Sequence, residues 1–121
     1  MTDDERAAVV KVAAEYFDSW FEGDPGRMAR ALHPHLAKRR VADEGTELWE
    51  VTTEDLVEDV TEGPKSGWDR TYQVTIADMT VDTASVIVHS DPFTEYLHLA
   101  RFADGWQIVN ALYRWNRRLP D

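Results

Sequence analysis

The apolar residues of this chain recur with two different periods, and the change between them near Asp69 is the strongest constraint on its fold. Before that point they recur at helical spacing, and after it they alternate with polar residues as in half-buried strands. The turn signals "DT", "DP" and "DG" divide the second half into strands at about 69–81, 84–90, 93–103 and 106–115. Helical segments followed by a four-strand antiparallel meander predict an α+β fold with the helices on one face of the sheet.

The first predicted helix occupies about 3–22. "TDDE" at 2–5 is a capping box, in which the Thr2 hydroxyl caps an amide of the first turn and Glu5 reaches back to the Thr2 amide. Gly23 ends the helix, because glycine adopts the left-handed C-cap conformation without a Cβ clash. The apolar stripe of this helix contains Val9, Val10, Ala13, Phe17, Trp20 and Phe21.

The stretch "EGDPGRMARALHPH" at 22–35 has the residue types of a metal or catalytic site, and also those of a short helix. Asp24 suits the N-cap position and Pro25 the first helical position, while Pro34 disfavours helical geometry at His33. We therefore interpret most of this motif as the start and stop of a second helix.

Residues 35–51 predict one or two irregular strands around the turn "DEGT". A third helix follows in "TTEDLVEDVTEGP", where Thr52 or Thr53 is the N-cap and Gly63 with Pro64 closes the helix. In "VTIADMTV" the apolar residues shift from even to odd positions, which predicts a β-bulge near 77–78.

The composition limits the classes of function. A chain of 121 residues is long enough for one domain with one core, here 1–121. It has no cysteine, which excludes disulfides, thiol catalysis and thiolate metal sites. The net charge of -10 disfavours binding to nucleic acid or to a membrane surface, and we interpret the basic clusters at 38–40 and 114–118 as a solvated strand edge and a tail. An acidic N-terminus without a long apolar run predicts a cytoplasmic protein.

The faces of the predicted sheet follow from a two-residue turn at 104–105, which would pair Ala103 with Trp106. The face toward the helices then contains Ala84, Val86, Val88, Leu97, Leu99, Trp106, Ile108 and Leu112, with Asn110 in the middle. The opposite face contains Ile87, His89, Tyr96, His98, Phe102, Val109, Ala111, Tyr113 and Trp115. That second face is too apolar to be left to water, so we expect a partner surface there.

Several strings of the chain resemble the nuclear-transport-factor-2-like superfamily, and within it the SnoaL-like branch called the putative lumazine-binding family. The matching parts are the Tyr16 helix with Gly23-Asp24, "LHP" at 32–34, "IADMTVDTASV" at 76–86, "FTEYLHL" at 93–99 and "DGWQIVN" at 104–110. Together they span nearly the whole chain. Glu95 stands where we would expect Asp, which is a departure from the family pattern.

The resemblance implies a cystatin-like α+β barrel, in which a cone-shaped, curved antiparallel sheet wraps over three N-terminal helices and leaves a pocket at its open end. It also implies a homodimer through the outer sheet face, in agreement with the apolar face above. The interface residues are then Ile87, His89, Tyr96, His98, Val109, Tyr113 and Trp115. Members of the superfamily include isomerases, dehydratases, polyketide cyclases and binding proteins, so the fold does not choose the activity.

Polar and aromatic residues near the expected pocket are the candidates for ligand binding or catalysis. A desolvated carboxylate beside a tyrosine suits general acid–base chemistry. The pocket candidates are Tyr16, His33, Trp49, Trp68, Tyr72, Glu95, Arg101 and Asn110. Structural alternatives stay open: Glu95 pairs across the strand with Arg114, Arg101 reaches the rim instead of binding an anion, and the tryptophans cover the core instead of stacking on a flat ligand.

The four histidines do not point to a metal site. The predicted faces place His89 and His98 away from the helices, and no carboxylate stands at ligand spacing from His33 and His35. We expect no metal and no cofactor.

Three functions agree with these expectations. The first is a homodimeric protein that binds a small, flat, hydrophobic ligand. The second is a cofactor-free isomerase, dehydratase or polyketide-cyclase-like enzyme, which a buried carboxylate facing a tyrosine across an open cavity would favour. The third is a dimerising accessory protein with a vestigial pocket, which a cavity filled by Trp106, Met79 and Leu112 would favour.

Overall fold

The structure is a computed structural model that describes residues 2–119. Its elements are α1 (Asp3–Glu22), α2 (Pro25–Ala31), β1 (Leu32–Val41), β2 (Leu48–Val51), α3 (Thr53–Thr61), β3 (Tyr72–Met79), β4 (Thr83–Ser90), β5 (Phe93–Phe102) and β6 (Gly105–Trp115). The single domain 1–121 stays a prediction, and its end residues Met1, Pro120 and Asp121 lie outside the described residues. Within the described part of the chain, no helix is long and apolar enough to cross a membrane.

The six strands form one curved, unclosed sheet in the order β2-β1-β6-β5-β4-β3. Strands β3 to β6 pair antiparallel with their sequence neighbours, which confirms the predicted meander. Strand β1 pairs antiparallel with β2 but parallel with β6. The sheet is therefore mixed, and our prediction of a wholly antiparallel sheet is wrong at this one pair, while the α+β cone over three helices is confirmed.

The helices begin where their capping residues predict. The Glu5 amide donates to the Thr2 hydroxyl oxygen at 3.1 Å, and the Arg27 amide donates to Asp24 Oδ1 at 3.1 Å. Thr52 is the N-cap of α3 and forms a reciprocal capping box with Asp55.

The second helix ends at Ala31, two residues before the predicted stop at His33. Leu32 is already extended, with φ -108° and ψ 137°, and it pairs with Ile108 of β6. Because Leu32 is buried in this strand pairing, the sheet ends the helix before Pro34 does.

The core lies between the concave face of the sheet and the helices. The predicted inner faces of β4 and β5 and of the first half of β6 are buried. Of the predicted apolar stripe of α1, Val10 is exposed and Trp20 is half-buried, while the other four residues are buried. The central residues are Val9, Ala13, Phe17, Phe21, Ala84, Val86, Val88, Leu97, Leu99, Trp106 and Ile108.

Two β-bulges interrupt the antiparallel pairs of the sheet, and the parallel pairing of β1 with β6 shifts register between Leu32 and Ala37. The bulge between Ile76 and Asp78 of β3 lies where the shift of apolar positions predicts it. A second irregularity lies between the pair His98–Asn110 and the pair Leu99–Ile108, which leaves Val109 as the extra residue of β6.

The second bulge exchanges the two faces in the last part of β6. The turn pairs Phe102 with Gly105, whereas the predicted turn pairs Ala103 with Trp106. The observed register thus differs from the predicted one by two residues. Because side chains alternate between the faces with a period of two, each of them keeps its predicted face up to the bulge. Past Val109 the register changes by one residue, so Tyr113 pairs with Glu95. Our predicted faces are therefore wrong for five residues: Ala111, Tyr113 and Trp115 lie on the inner face, and Asn110 and Leu112 on the outer face.

The convex face carries a row of apolar side chains, which we call the convex patch. Ile87, Tyr96 and Leu112 are neighbours across β4, β5 and β6. Tyr96 is 49% exposed and Leu112 is 48% exposed. The remaining members of the patch are Val41 and Leu48, which are exposed and pair with each other.

Candidate functional site

A buried polar cluster lies inside the cone, where Tyr16 of α1, Lys38 of β1 and Glu95 of β5 meet. The Tyr16 hydroxyl donates to Glu95 Oε1 at 2.9 Å. Lys38 Nζ lies 3.3 Å from the same oxygen and also donates to the Tyr16 hydroxyl. The side chains of Lys38 and Glu95 are only 5% and 2% exposed. A carboxylate at this depth requires a counter-charge, and Lys38 supplies it.

Local structure places each member of this cluster. Tyr16 belongs to the buried side of α1, and its ring packs edge-on against Phe17 at 5.2 Å. Lys38 follows buried Leu36 by two residues, so both side chains lie on the inner face of β1. Glu95 lies two residues after buried Phe93 on the inner face of β5.

The environment of Tyr16 keeps its hydroxyl protonated. Burial raises the pKa of Tyr16 well above its usual range, and the negative charge of Glu95 raises it further. At neutral pH the hydroxyl is therefore a hydrogen-bond donor to Glu95.

A cavity of about 270 Å³ opens beside Lys38, between α3, the end of α1 and the concave face. We call it the aromatic cavity, because four of its side chains carry aromatic rings. The Phe93 ring lies 4.2 Å from the Trp115 ring and 5.8 Å, edge-on, from the Tyr113 ring, measured between centroids. The lining residues are Trp20, Lys38, Val51, Asp55, Leu56, Asp59, Phe93, Tyr113 and Trp115.

Lys38 and Tyr113 supply an ammonium and a phenol to the wall of this cavity, and Asp55 and Asp59 of α3 line it as well. Lys38 Nζ lies 4.3 Å from the centroid of the Tyr113 ring, which is a cation–π distance. Burial raises the pKa of Tyr113, while the positive charge of Arg40 opposes that shift. The cavity thus offers ring faces for stacking, and an ammonium and a phenol for hydrogen bonding.

Three of the sequence-predicted pocket residues lie in or beside this region, and a fourth lies on β2, where it stacks on Arg40. Tyr16 and Glu95 come together, but Glu95 pairs with Lys38 and not with Arg114, so our cross-strand alternative is wrong. Trp68 stacks on the Trp115 ring at 5.9 Å. Trp49 is largely exposed on β2, on the same face of the sheet as Lys38.

Tyr72 and Arg101 lie elsewhere on the inner side. The Tyr72 hydroxyl donates to Asp18 Oδ1 of α1 at 2.7 Å. Arg101 reaches the rim beside the start of α1, where it pairs with Glu5 at 3.5 Å. The alternative in which Arg101 extends to the rim thus agrees with the structure.

His33 and Asn110 lie outside the cone interior. The His33 ring stacks on Phe102 at 5.0 Å, and Asn110 contacts His98 Nδ1 on the convex face at 3.2 Å. Within residues 2–119, no group of three or more histidine, aspartate or glutamate side chains is arranged to hold a metal ion.

Sequence reasoning missed Lys38, Arg40 and Tyr113. The interpretation of 38–40 as a solvated edge is wrong for Lys38 and Arg40, which are buried. The alternation of Leu36, Lys38 and Arg40 in "LAKRR" is the signal that they share the inner face. The sequence pattern predicts Tyr113 on the outer face, because it does not reveal the bulge at Val109.

Comparisons with known proteins agree with this architecture. A family model described as putative lumazine-binding matches residues 4–114. An NTF2-like protein of unknown function from Shewanella baltica is 20% identical, with 98% of this chain and 99% of that chain covered and a TM-score of 0.79. A second, from Silicibacter pomeroyi, is also 20% identical, with 96% and 100% covered and a TM-score of 0.77.

A ketosteroid isomerase-like protein from Erwinia carotovora atroseptica is 13% identical, with 97% of this chain and 100% of that chain covered and a TM-score of 0.67. At these identities the likeness to solved structures is evidence for the fold alone. A comparison with curated proteins finds no match.

Proposed function

This chain belongs to the putative lumazine-binding family of NTF2-like proteins, and from that premise we propose that it binds a small, flat, largely apolar molecule in the aromatic cavity. The observation that carries the proposal is the construction of that cavity. Aromatic rings form its walls, and one buried, ion-paired lysine lies at its inner end.

The walls favour a flat ligand. The rings of Phe93, Tyr113 and Trp115 offer faces and edges on which a planar molecule gains stacking as well as apolar burial. The volume of about 270 Å³ lies just below the usual range of ligand pockets, roughly 300–1,000 Å³. We therefore propose a ligand with a single ring or two fused rings.

The inner end favours a ligand with an acceptor atom. Lys38 Nζ has three protons, of which one donates to Tyr16 and one points to Glu95. Lys38 Nζ also lies 4.3 Å from the centroid of the Tyr113 ring, and both residues line the cavity. A ring carbonyl at this position would accept a hydrogen bond from Lys38. Lumazine, which the family name mentions, is a two-ring molecule with such carbonyls.

Isothermal titration calorimetry with lumazine and with 2-naphthol tests the proposal. Both probes should saturate at one site per chain. Val51→Trp fills the cavity and should weaken both by about tenfold or more, since a tenfold change is 1.4 kcal/mol. Val81→Trp is the matched control, because Val81 is 68% exposed between β3 and β4. Absence of saturable binding for both probes, or equal affinity of the Val51→Trp and Val81→Trp variants, would overturn the proposal.

The convex patch supports the further proposal that two copies of the chain pair through this face. Exposed Tyr96 and Leu112 lie side by side on a sheet face that the helices leave open. Two-fold self-pairing is the commonest way to cover such a face. Tyr113 and Trp115 drop out of the predicted interface, since they lie on the inner face.

Sedimentation equilibrium tests the dimer. We expect a dimer for the unmodified chain, and a shift toward monomer for Leu112→Asp. Val81→Asp, at an exposed site outside the patch, should leave the dimer intact. A monomeric unmodified chain at high micromolar concentration would contradict the proposal.

The second candidate function is a cofactor-free enzyme, and the buried Tyr16–Glu95 pair favours it. A carboxylate and a protonated tyrosine in an apolar cone suit proton transfer next to a carbonyl group. However, Glu95 is engaged by Tyr16 and Lys38 directly and does not face the tyrosine across open space, so we rank binding first. The accessory-protein alternative loses support, because Leu112 lies outside the cone and the aromatic cavity is open.

Deuterium exchange into 2-tetralone, a flat two-ring ketone, separates the two candidates. An enzyme of this kind should accelerate the exchange of the protons next to the carbonyl, and Glu95→Gln should abolish the acceleration. Binding of 2-tetralone without accelerated exchange would exclude general-base catalysis by Glu95 on ketones of this shape.

A further inference from the structure

A second cavity adjoins the aromatic cavity at the end of β6. It is a cleft of about 490 Å³, which we call the arginine cleft. Four arginines and one carboxylate line it, although the chain as a whole has a net charge of -10. Its charged lining residues are Arg40, Asp43, Arg114, Arg117 and Arg118. This is a strong local excess of positive charge.

The carboxylates around the cleft do not balance its arginines. Asp43 Oδ1 accepts from Arg40 Nη1 and from Arg118 Nη2, each at 3.2 Å. Arg117 Nη2 pairs with Asp91 Oδ2 at 2.5 Å. Within residues 2–119, Arg114 has no carboxylate at ion-pair distance, and its Nε donates to the backbone oxygen of Trp115. Among residues 2–119, Arg40 and Arg118 thus share one carboxylate, and Arg114 has none.

Aromatic side chains hold two of these guanidinium groups in place. The Arg40 side chain is 8% exposed, and its guanidinium carbon lies 4.3 Å from the centroid of the Trp49 ring. The guanidinium carbon of Arg118 lies 4.8 Å from the Trp115 ring. Stacked guanidinium groups lose less conformational freedom when they bind an anion, which favours affinity.

The two cavities are close enough to hold one molecule. Trp115 lines both of them. Lys38 at the aromatic cavity and Arg40 at the arginine cleft are two residues apart on the same face of β1, a separation of about 7 Å. A group attached to a ring by a short chain of atoms would span that distance.

From this arrangement we infer that the ligand is a flat ring molecule with an anionic oxygen group, a phosphate or a carboxylate, which the arginine cleft binds. The inference rests on the proposed function for the position of the ring. Guanidinium forks match the oxygen pairs of both groups and form charge-assisted hydrogen bonds with them. The chemical class of the ligand is thus narrowed from flat and apolar to flat with an acidic tail.

Calorimetry with 2-naphthol, 2-naphthyl phosphate, (2-naphthyloxy)acetate and inorganic pyrophosphate tests the inference, since in both anionic ring probes a linking oxygen separates the ring from the anionic group. The unmodified chain should bind at least one of the two anionic ring probes more tightly than 2-naphthol, by a factor of about ten or more. A factor of ten is a difference of 1.4 kcal/mol in binding free energy. A larger gain in affinity for the phosphate probe indicates a phosphate site, and a larger gain for the carboxylate probe indicates a carboxylate site.

Two arginine variants locate the effect. Arg118→Gln should remove most of the gain, measured within each variant as the ratio of the affinity for the anionic ring probe to the affinity for 2-naphthol. Arg101→Gln is the matched control, since the exposure of Arg101 is 45% against 49% for Arg118 and it also has one ion pair. Equal affinity for the neutral and anionic probes would overturn the inference and leave the proposed function standing. Equal losses in the two variants would also overturn it.

Pyrophosphate separates the two proposals. If no ring probe binds but pyrophosphate binds and Arg118→Gln weakens it, the anion site is supported and the proposed function fails.

Discussion

Replacing Lys38 by methionine should destabilise the fold severely, because it leaves the Glu95 carboxylate without its counter-charge. Glu95 is 2% exposed, and after the change only the Tyr16 hydroxyl at 2.9 Å would still contact its Oε1. Methionine is close to lysine in length and fills the same space, so the loss of packing is small. The change therefore isolates the charge.

The expected loss is about 3–5 kcal/mol of unfolding free energy, the usual cost of breaking a buried ion pair from one side. For a domain of this size that is a fall in Tm of roughly 10–20 °C. The double variant Lys38→Met/Glu95→Gln should recover most of it, to within about 1–2 kcal/mol of the parent. Glutamine removes the charge and still accepts a hydrogen bond from Tyr16.

Urea denaturation followed by circular dichroism measures these differences. Arg39→Met is the matched control on the same strand, since Arg39 pairs with Glu50 at 3.1 Å while both side chains are exposed to solvent. That variant should lose less than about 1 kcal/mol. If Lys38→Met is no less stable than Arg39→Met, or if the double variant is no more stable than Lys38→Met, then Lys38 does not compensate the charge of Glu95.

Three further changes have definite expected results. Asp24→Ala removes the oxygen that caps the Arg27 amide, and urea denaturation should show a loss of about 1 kcal/mol; an unchanged midpoint would contradict this role. Trp106→Ala should cost roughly 3–5 kcal/mol through the space it leaves in the core, and a melting temperature within about 2 °C of the parent would show that it is not a core residue. The raised pKa of Tyr16 means that its contribution to stability is complete below about pH 10 and is lost as the pH rises further. Tyr16→Phe should therefore lose less stability than the parent as the pH rises above about 10, and parallel losses would refute this assignment.

Local and periodic signals predicted most of the fold. The caps of α1 and α2 depend on Thr2, Gly23 and Asp24, whose preferences act within one turn of a helix. The inner faces of β4 and β5 follow from alternation that is not interrupted. The bulge of β3 could be predicted because the apolar residues move from even to odd positions between 76 and 79.

The second bulge could not be predicted, because β6 has apolar residues at both even and odd positions. In "WQIVNALYRW" apolar residues stand at 106, 108 and 112, and also at 109, 111, 113 and 115, so either set can face the core. The choice is made by contacts between distant parts of the chain, such as Lys38 over the Tyr113 ring. Local pattern holds no information about such contacts.

The candidate site depended on the same missing information. Tyr16 and Glu95 were named from the sequence, but their partner Lys38 lies on β1, which joins the sheet through a parallel pairing with β6. Parallel pairs connect residues far apart in sequence and have no turn to signal them. The aromatic cavity needs both this pairing and the inward turn of Tyr113 and Trp115.

The five tryptophans provide the most direct test of the proposed binding site, since each indole N–H gives one signal in a nitrogen–proton correlation spectrum. Trp20 and Trp115 line the aromatic cavity, whereas the Trp106 indole donates to Glu5 near the start of α1. On titration with 2-naphthol, the signals of Trp20 and Trp115 should shift and saturate while that of Trp106 stays in place. A saturating shift of Trp106 with Trp20 and Trp115 unchanged, or no shift in any of the three, would contradict binding in the aromatic cavity.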